Sequence, residues 1–207
     1  MIKNHSSENG NWEASQINSM IAIGVFCNDT AIFNRGVSFF RGTGKGAVTQ
    51  YVYEDGECQE TCRDMGHTQM GLGELVDAAE IAWKQGVDLY GAAPDSITGI
   101  PRLAEGLNHA ARILNGDTLI TTCGPIGKQI WFGSDVGKAW NHYGVRMGLN
   151  LPFIKMTAER SRPESVSWKS MYSWGTLTHT SDTTCKGSLL TNNLFIELIN
   201  LQSVHSS

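Results

Sequence analysis

The strongest constraint in this chain is a pair of helix-period apolar stripes joined by a very short polar break. From Trp12 to Cys27 the apolar residues Ile17, Met20, Ile21 and Val25 recur at helical spacing. Asn28-Asp29 interrupts the run, and Phe33, Val37 and Phe40 then mark the face of a second helix ending near Arg41. Two helices with so short a link fold back as an αα-hairpin. Asn11 stands before the first stripe and can cap it, and Asn28 or Asp29 can cap the second helix.

The pattern repeats downstream. Gly42-Thr43-Gly44-Lys45-Gly46 reads as a flexible loop, Val48–Tyr53 as a β-prone piece, and Glu54-Asp55-Gly56 as a turn. Leu72, Leu75, Val76, Ala79 and Trp83 line one face of a third helix that stops at Gly86. Further helices are expected over Pro101–Leu114, from Ser134 or Asp135 to Gly148, and over Phe153–Arg160. The expected class is mainly α, with few short strands, built of antiparallel helix hairpins as in an α-solenoid or an incomplete α/α toroid. Residues 1–180 form the expected domain, and 181–207, with its apolar run Leu189–Leu201, is an unassigned tail.

Composition excludes several classes. With 207 residues, 41% hydrophobic residues and a net charge of −4, the chain is an ordinary globular protein with no global field for nucleic acid. No stretch reaches the length of a membrane-spanning helix, and Met1–Gly10 lacks the apolar core of a secretory signal. The helix pattern begins almost at once, as expected of a fragment whose natural N-terminus lies upstream. Five cysteines in a chain of this length do not make a disulfide scaffold, although Cys58 and Cys62 can pair if their segment is a loop.

Two clusters hold the functional groups. In Gln59-Glu60-x-x-Arg63-Asp64-x-x-His67 the spacing lets Gln59 or Glu60, Arg63 and His67 share one helix face; the plain alternative is a solvated helix start. Asn141-His142-Tyr143 with Arg146 can bind an anionic sugar, yet Tyr143 also fits a core stripe with Trp140 and Met147. The glycine loop lacks the spacing of a phosphate loop. Cys58, Cys62 and His67 have unusual zinc spacing and no fourth ligand, so no metal is expected. No Gly-x-Ser-x-Gly elbow is present. Glu60, Asp64 and Glu80 are conceivable paired carboxylates for glycoside hydrolysis, though nothing singles them out.

The segments Asn11-Trp12-Glu13-Ala14-Ser15, Asp55-Gly56-Glu57-Cys58-Gln59-Glu60, Arg63-Asp64-x-Gly66-His67 and Ala79-Glu80-Ile81-Ala82-Trp83-Lys84-Gln85-Gly86-x-Asp88-Leu89-Tyr90 resemble the alginate lyase domain of the α/α-toroid polysaccharide lyases. Asn141-His142-Tyr143, Arg162-Pro163-Glu164 and Gly175-Thr176-Leu177-Thr178 continue the likeness to about Thr178. The resemblance implies β-elimination on a uronic-acid polymer such as alginate, polymannuronate or glucuronan, in a secreted or periplasmic setting, with no cofactor and no metal. Such chemistry needs a donor to the substrate carboxylate, a base for the C5 proton and an acid for the departing oxygen. By position Asn11 resembles the carboxylate neutraliser, His67 the active-site histidine and Tyr143 the acid/base; Gln59, Arg63, His142 and Arg146 would bind substrate. An acidic polysaccharide is the implied partner, with neither nucleic acid nor membrane. Trp140 stands where the family leads one to expect a tyrosine, which motivates an alternative: a non-catalytic or degenerate relative that binds acidic polysaccharide.

Overall fold

The computed structural model describes residues 9–117, 121–126, 133–163 and 175–180. The tail 181–207, and with it the apolar run Leu189–Leu201, lies outside the described residues. Helices dominate: α1 (Gly10–Phe26), α2 (Thr30–Phe40), α3 (Val48–Tyr51), α4 (Met65–Lys84), α5 (Arg102–Leu114), α6 (Ser134–Ala139), α7 (Pro152–Arg160) and α8 (Gly175–His179). A π-helical segment, Trp140–Arg146, continues α6 without a break. Among the described residues β-pairing is limited to the isolated bridges Val52–Cys58 and Pro94–Pro101.

The first hairpin forms as its sequence requires. Asp29 caps α2 by accepting hydrogen bonds from the N–H groups of Ala31 (2.9 Å) and Ile32 (3.0 Å). Gly24 lies against Phe33 and Gly36 against Ile21, so α1 and α2 run antiparallel. The face of α1 that carries Ile17, Met20 and Ile21 is fully buried. Asn11 does not cap α1: the helix starts at Gly10, the cap position is Asn9, and Asn11 turns inward in the first turn.

The other main helices add to α1 in a consistent direction. Tyr51 is sandwiched between Gly10 of α1 and Gly71 of α4, where any side chain would collide with its ring. Farther along, Asn18 Nδ2 donates to Glu74 Oε2 at 2.8 Å. These two pairings fix α1 and α4 as parallel. Gly73 meets Asp135, Asp77 meets Lys138, and Trp83 meets His142, so α6 and its π-helical extension also run parallel to α4. One set of parallel helices thus carries the core, including Leu72, Leu75, Val76 and Ala79 of α4.

Three local expectations change. Val48–Tyr51 is helical, because the buried Tyr51 ring fills the space between α1 and α4, and that packing overrides local strand preference. Residues 59–64 form turns, so Gln59, Arg63 and His67 do not share a helix face; α4 starts only at Met65, where the Asp64 carboxylate receives the His67 N–H at 2.8 Å. Cys62 bonds to Cys123 across a sequence separation of 61, and Cys58 remains a buried free thiol.

His142 and Tyr143, within the π-helical segment, belong to the core at the C-terminal end of α4. Tyr143 is fully buried, and its hydroxyl donates to the Tyr90 carbonyl at 3.0 Å. His142 stacks on Tyr90 with ring centroids 3.9 Å apart and meets the edge of Trp83 at 4.7 Å. Burial holds the His142 imidazole below its ordinary value, which keeps it neutral.

Charge is buried along the same helix. Lys138 pairs with Asp77 and, at 3.0 Å, with Asp135, while Glu74 stands close by. Burial and the neighbouring Asp135 push Asp77 up to about 7. The unfolded chain releases that proton near pH 4, whereas the folded chain keeps it to about pH 7, so this group makes stability fall as pH rises through that window. Melting temperatures taken from pH 4 to pH 8 will show this fall, and Asp77→Asn will shrink the slope; an unchanged slope would contradict the reading. Tyr143→Phe will cost about 1 kcal/mol in urea unfolding, the value of one buried hydrogen bond.

Candidate functional site

Parallel packing of α1 and α4 sets their N-terminal ends side by side, and the candidate site is built there. Gln59 links the two ends: its Oε1 accepts the Gly10 N–H at 2.7 Å, and its own N–H donates to the Tyr51 carbonyl at 2.9 Å. Tyr51 completes the bridge, its hydroxyl lying 3.1 Å from the His67 carbonyl and 3.2 Å from that of Thr68. Asn11, Gln59 and His67 are therefore gathered at one end of the helix set.

Asp64 and His67 form a dyad. Asp64 Oδ2 lies 2.6 Å from His67 Nδ1, while Oδ1 accepts the His67 backbone N–H. One carboxylate thus both starts α4 and fixes the imidazole. Partial burial raises the Asp64 carboxyl, but the hydrogen bonds from His67 outweigh this and hold it below its ordinary value. With Nδ1 engaged, Nε2 is left for chemistry, and the side chain is 31% exposed. Asn11 is buried, and its amide oxygen has no hydrogen-bond partner among the described residues. Buried polar atoms are rarely left unmatched. Arg63 is half-exposed and pairs loosely with the buried Glu60 at 3.5 Å.

Two further features surround the dyad. Glu13, buried in the first turn of α1, accepts the Gly46 N–H at 2.6 Å. The glycine loop thus wraps a carboxylate and holds no phosphate-binding geometry. Glu57 is buried as well and accepts from the backbone N–H (2.9 Å) and hydroxyl (2.8 Å) of Thr122. Together with the Cys62–Cys123 disulfide, it fastens residues 121–126 to the segment leading into Asp64. Sequence reasoning missed Glu57 and Asp64 as organising groups. Only the Asp-x-x-His spacing, which matches a helix cap, signalled the second of them.

The remaining candidates lie elsewhere. Trp83, which touches His142, is sixteen residues along α4 from His67, about 24 Å at the rise of an α-helix. Tyr143 and His142 are packed into the core at that far end, so neither presents a group to a ligand bound beside His67. The expected acid/base role of Tyr143 and the substrate-binding role of His142 do not fit this placement. Arg146, exposed in the last turn of the π-helical segment, belongs to the same end. Glu80 there is held at about 2, because the bonds from His179 and Lys84 outweigh its burial. It is a structural anion that also accepts the Tyr90 hydroxyl at 3.1 Å.

Comparison with known proteins agrees with the motifs around Asn11 and His67. The family model described as alginate lyase matches residues 1–112, more than half of the chain. That span contains α1 to α4 and most of α5, and thus both halves of the candidate site. No curated protein and no solved structure matches the chain. The match covers more than half of the residues, and the mainly helical fold is consistent with it: the chain belongs to the alginate lyase family.

Proposed function

We propose that the protein is a polysaccharide lyase that cleaves a uronic-acid polymer by β-elimination, with the Asp64–His67 dyad at its centre. The observation that carries this reading is the pairing of an oriented, accessible imidazole with a buried, unmatched amide at one end of the helix set. Asp64 holds the proton on His67 Nδ1, so Nε2 has a lone pair to take the C5 proton; the C5 electron pair then forms the C4=C5 double bond as C4–O4 breaks, and the imidazolium, still paired with Asp64, returns its Nε2 proton to the departing O4. The Asn11 amide, whose nitrogen and oxygen exchange places by rotation, donates to the substrate carboxylate and stabilises the charge that develops on it. Gln59 holds the α1 end in register, and Arg63, half-exposed, attracts the anionic chain.

The parallel set α1, α4 and α6, with α2 antiparallel outside it, supports an α/α toroid in which substrate lies across the N-terminal ends of the inner helices. The Cys62–Cys123 disulfide supports an oxidising compartment, and hence secretion or a periplasmic location. No helix among the described residues is long and apolar enough to cross a membrane.

A second reading, a relative that binds acidic polysaccharide without cleaving it, draws on one observation. The tyrosine expected to protonate the leaving oxygen, Tyr143, is buried at the far end of α4. Glycoside hydrolysis has less support: Glu60 is buried beside Arg63, and Asp64 is spent on the helix cap and His67.

Incubation with alginate, polymannuronate and glucuronan will generate the ultraviolet absorbance of an unsaturated product on at least one polymer. His67→Ala will lower the rate at least hundredfold, and Asn11→Ala by about a hundredfold, the range for loss of one base or one charge-stabilising donor. Binding without any chromophore would sink the lyase reading in favour of the second. Asp64→Ala will also cost about 1 kcal/mol of stability in urea unfolding through loss of the cap.

A further inference from the structure

A polar cavity outside the lyase site has the chemistry of a sugar pocket. The hairpin from Tyr53 to Glu57 closes through Tyr53 N–H to the Glu57 carbonyl (2.8 Å) and Gly56 N–H to the Tyr53 carbonyl (3.0 Å). Gly56, at φ +83°, lets this turn press on α5: a side chain there would fall 3.0 Å from the Glu105 carbonyl. Between the hairpin, α3 and the start of α5 lies a cavity of about 580 Å³, lined by Thr49, Gln50, Tyr53, Glu54, Asp55 and Arg102. It is a shallow depression that opens widely to solvent, with the Glu54 side chain 94% exposed at its rim. A smaller cavity of about 180 Å³ adjoins it across Glu54 and Asp55 and extends along α5 past Glu105.

Arg102 is the informative residue. Its side chain is only 12% exposed, its Nε has no hydrogen-bond partner among the described residues, and it is held only by long ion pairs. The nearest carboxylates, Glu54 at 4.0 Å and Glu105 at 3.8 Å, stand beyond hydrogen-bond reach. A guanidinium so enclosed ordinarily saturates its donors. An anion entering here would meet Glu54 and Asp55, and a cation would meet Arg102. A hydroxyl satisfies both, because it accepts from the guanidinium and donates to a carboxylate. Gln50 and Thr49 add further polar groups, and Tyr53, 47% exposed, offers an aromatic surface for the apolar face of a sugar ring.

We propose that this cavity is a binding site for a neutral saccharide, separate from the acidic-polymer site at His67. It would bring the protein to uncharged polysaccharide that accompanies its anionic substrate. The site is read by binding and not by turnover, so it stands or falls independently of the lyase reading.

Calorimetric titration of the full chain with neutral tetraoses of glucose, mannose and xylose, and with tetramannuronate, tests it. At least one neutral tetraose will bind with a Kd at or below the millimolar range. Arg102→Ala and Tyr53→Ala will each weaken that binding at least tenfold, and Tyr53→Ala will leave any polyuronate cleavage unchanged. Hydrogen exchange on the wild-type chain gives a second readout that needs no variant: the neutral ligand will slow exchange over residues 49–57 and 102–105. Binding of tetramannuronate alone, no binding of any tetraose, or protection confined to other segments would overturn the proposal.

Discussion

The parallel packing of α1 on α4 is the contact on which the rest depends. It is close because Tyr51 lies flat between Gly10 and Gly71, and because Asn18 and Glu74 hold the register farther along. A slip of one helical turn would move Gly10 away from Gln59 and would drive a side chain into the Tyr51 ring. Two helix N-termini therefore arrive together, each with unpaired N–H groups. The α4 end is closed by Asp64 and the α1 end by Gln59, and both closing groups are part of the candidate site. Stability and chemistry share the same side chains here.

Polar groups inside this helix set are organised around buried carboxylates. Glu13 shapes the glycine loop, Glu57 holds Thr122, Asp77 shares Lys138 with Asp135, and Glu80 gathers Lys84, Tyr90 and His179. Each is compensated in a different manner. Glu80 keeps its charge because hydrogen bonds from His179 and Lys84 reach it, whereas Asp77 shares one ammonium with another acid and retains its proton to about pH 7. Breaking any of these sets by removing one partner leaves an uncompensated polar group in the interior, which costs more than the pair itself contributes.

The disulfide and the family match frame the site from two directions. Cys62 stands two residues before Asp64, so its bond to Cys123 restrains the approach to α4 and ties residues 121–126 to it. The family match spans residues 1–112 and stops before this segment. Asn11, Asp64 and His67 thus lie inside the span matched to the alginate lyase family, while the segment that the disulfide fastens beside them comes from beyond the matched residues.

The sequence by itself determined the helices whose apolar spacing is regular: α1, α2, α4, α5 and α7 lie within a few residues of where periodicity puts them, and Asp29 caps α2 as its position before the stripe requires. It also carried the motifs around Asn11 and His67 that mark the family. Those signals are local, because helix period and capping depend on neighbours in the chain. Tertiary structure decided the rest. Val48–Tyr51 became helix because Tyr51 had a slot to fill; Cys62 paired with Cys123 across a separation of 61 because the fold brings them together; His142 and Tyr143 became core because Tyr90 and Trp83 pack on them. The candidate residues separate for the same reason. Asn11 and His67 lie at the same end of the helix set because α1 and α4 run parallel, and Tyr143 lies at the other end of α4 because α6 continues that direction. Helix direction and register are set by contacts between residues distant in the chain, which no local pattern encodes.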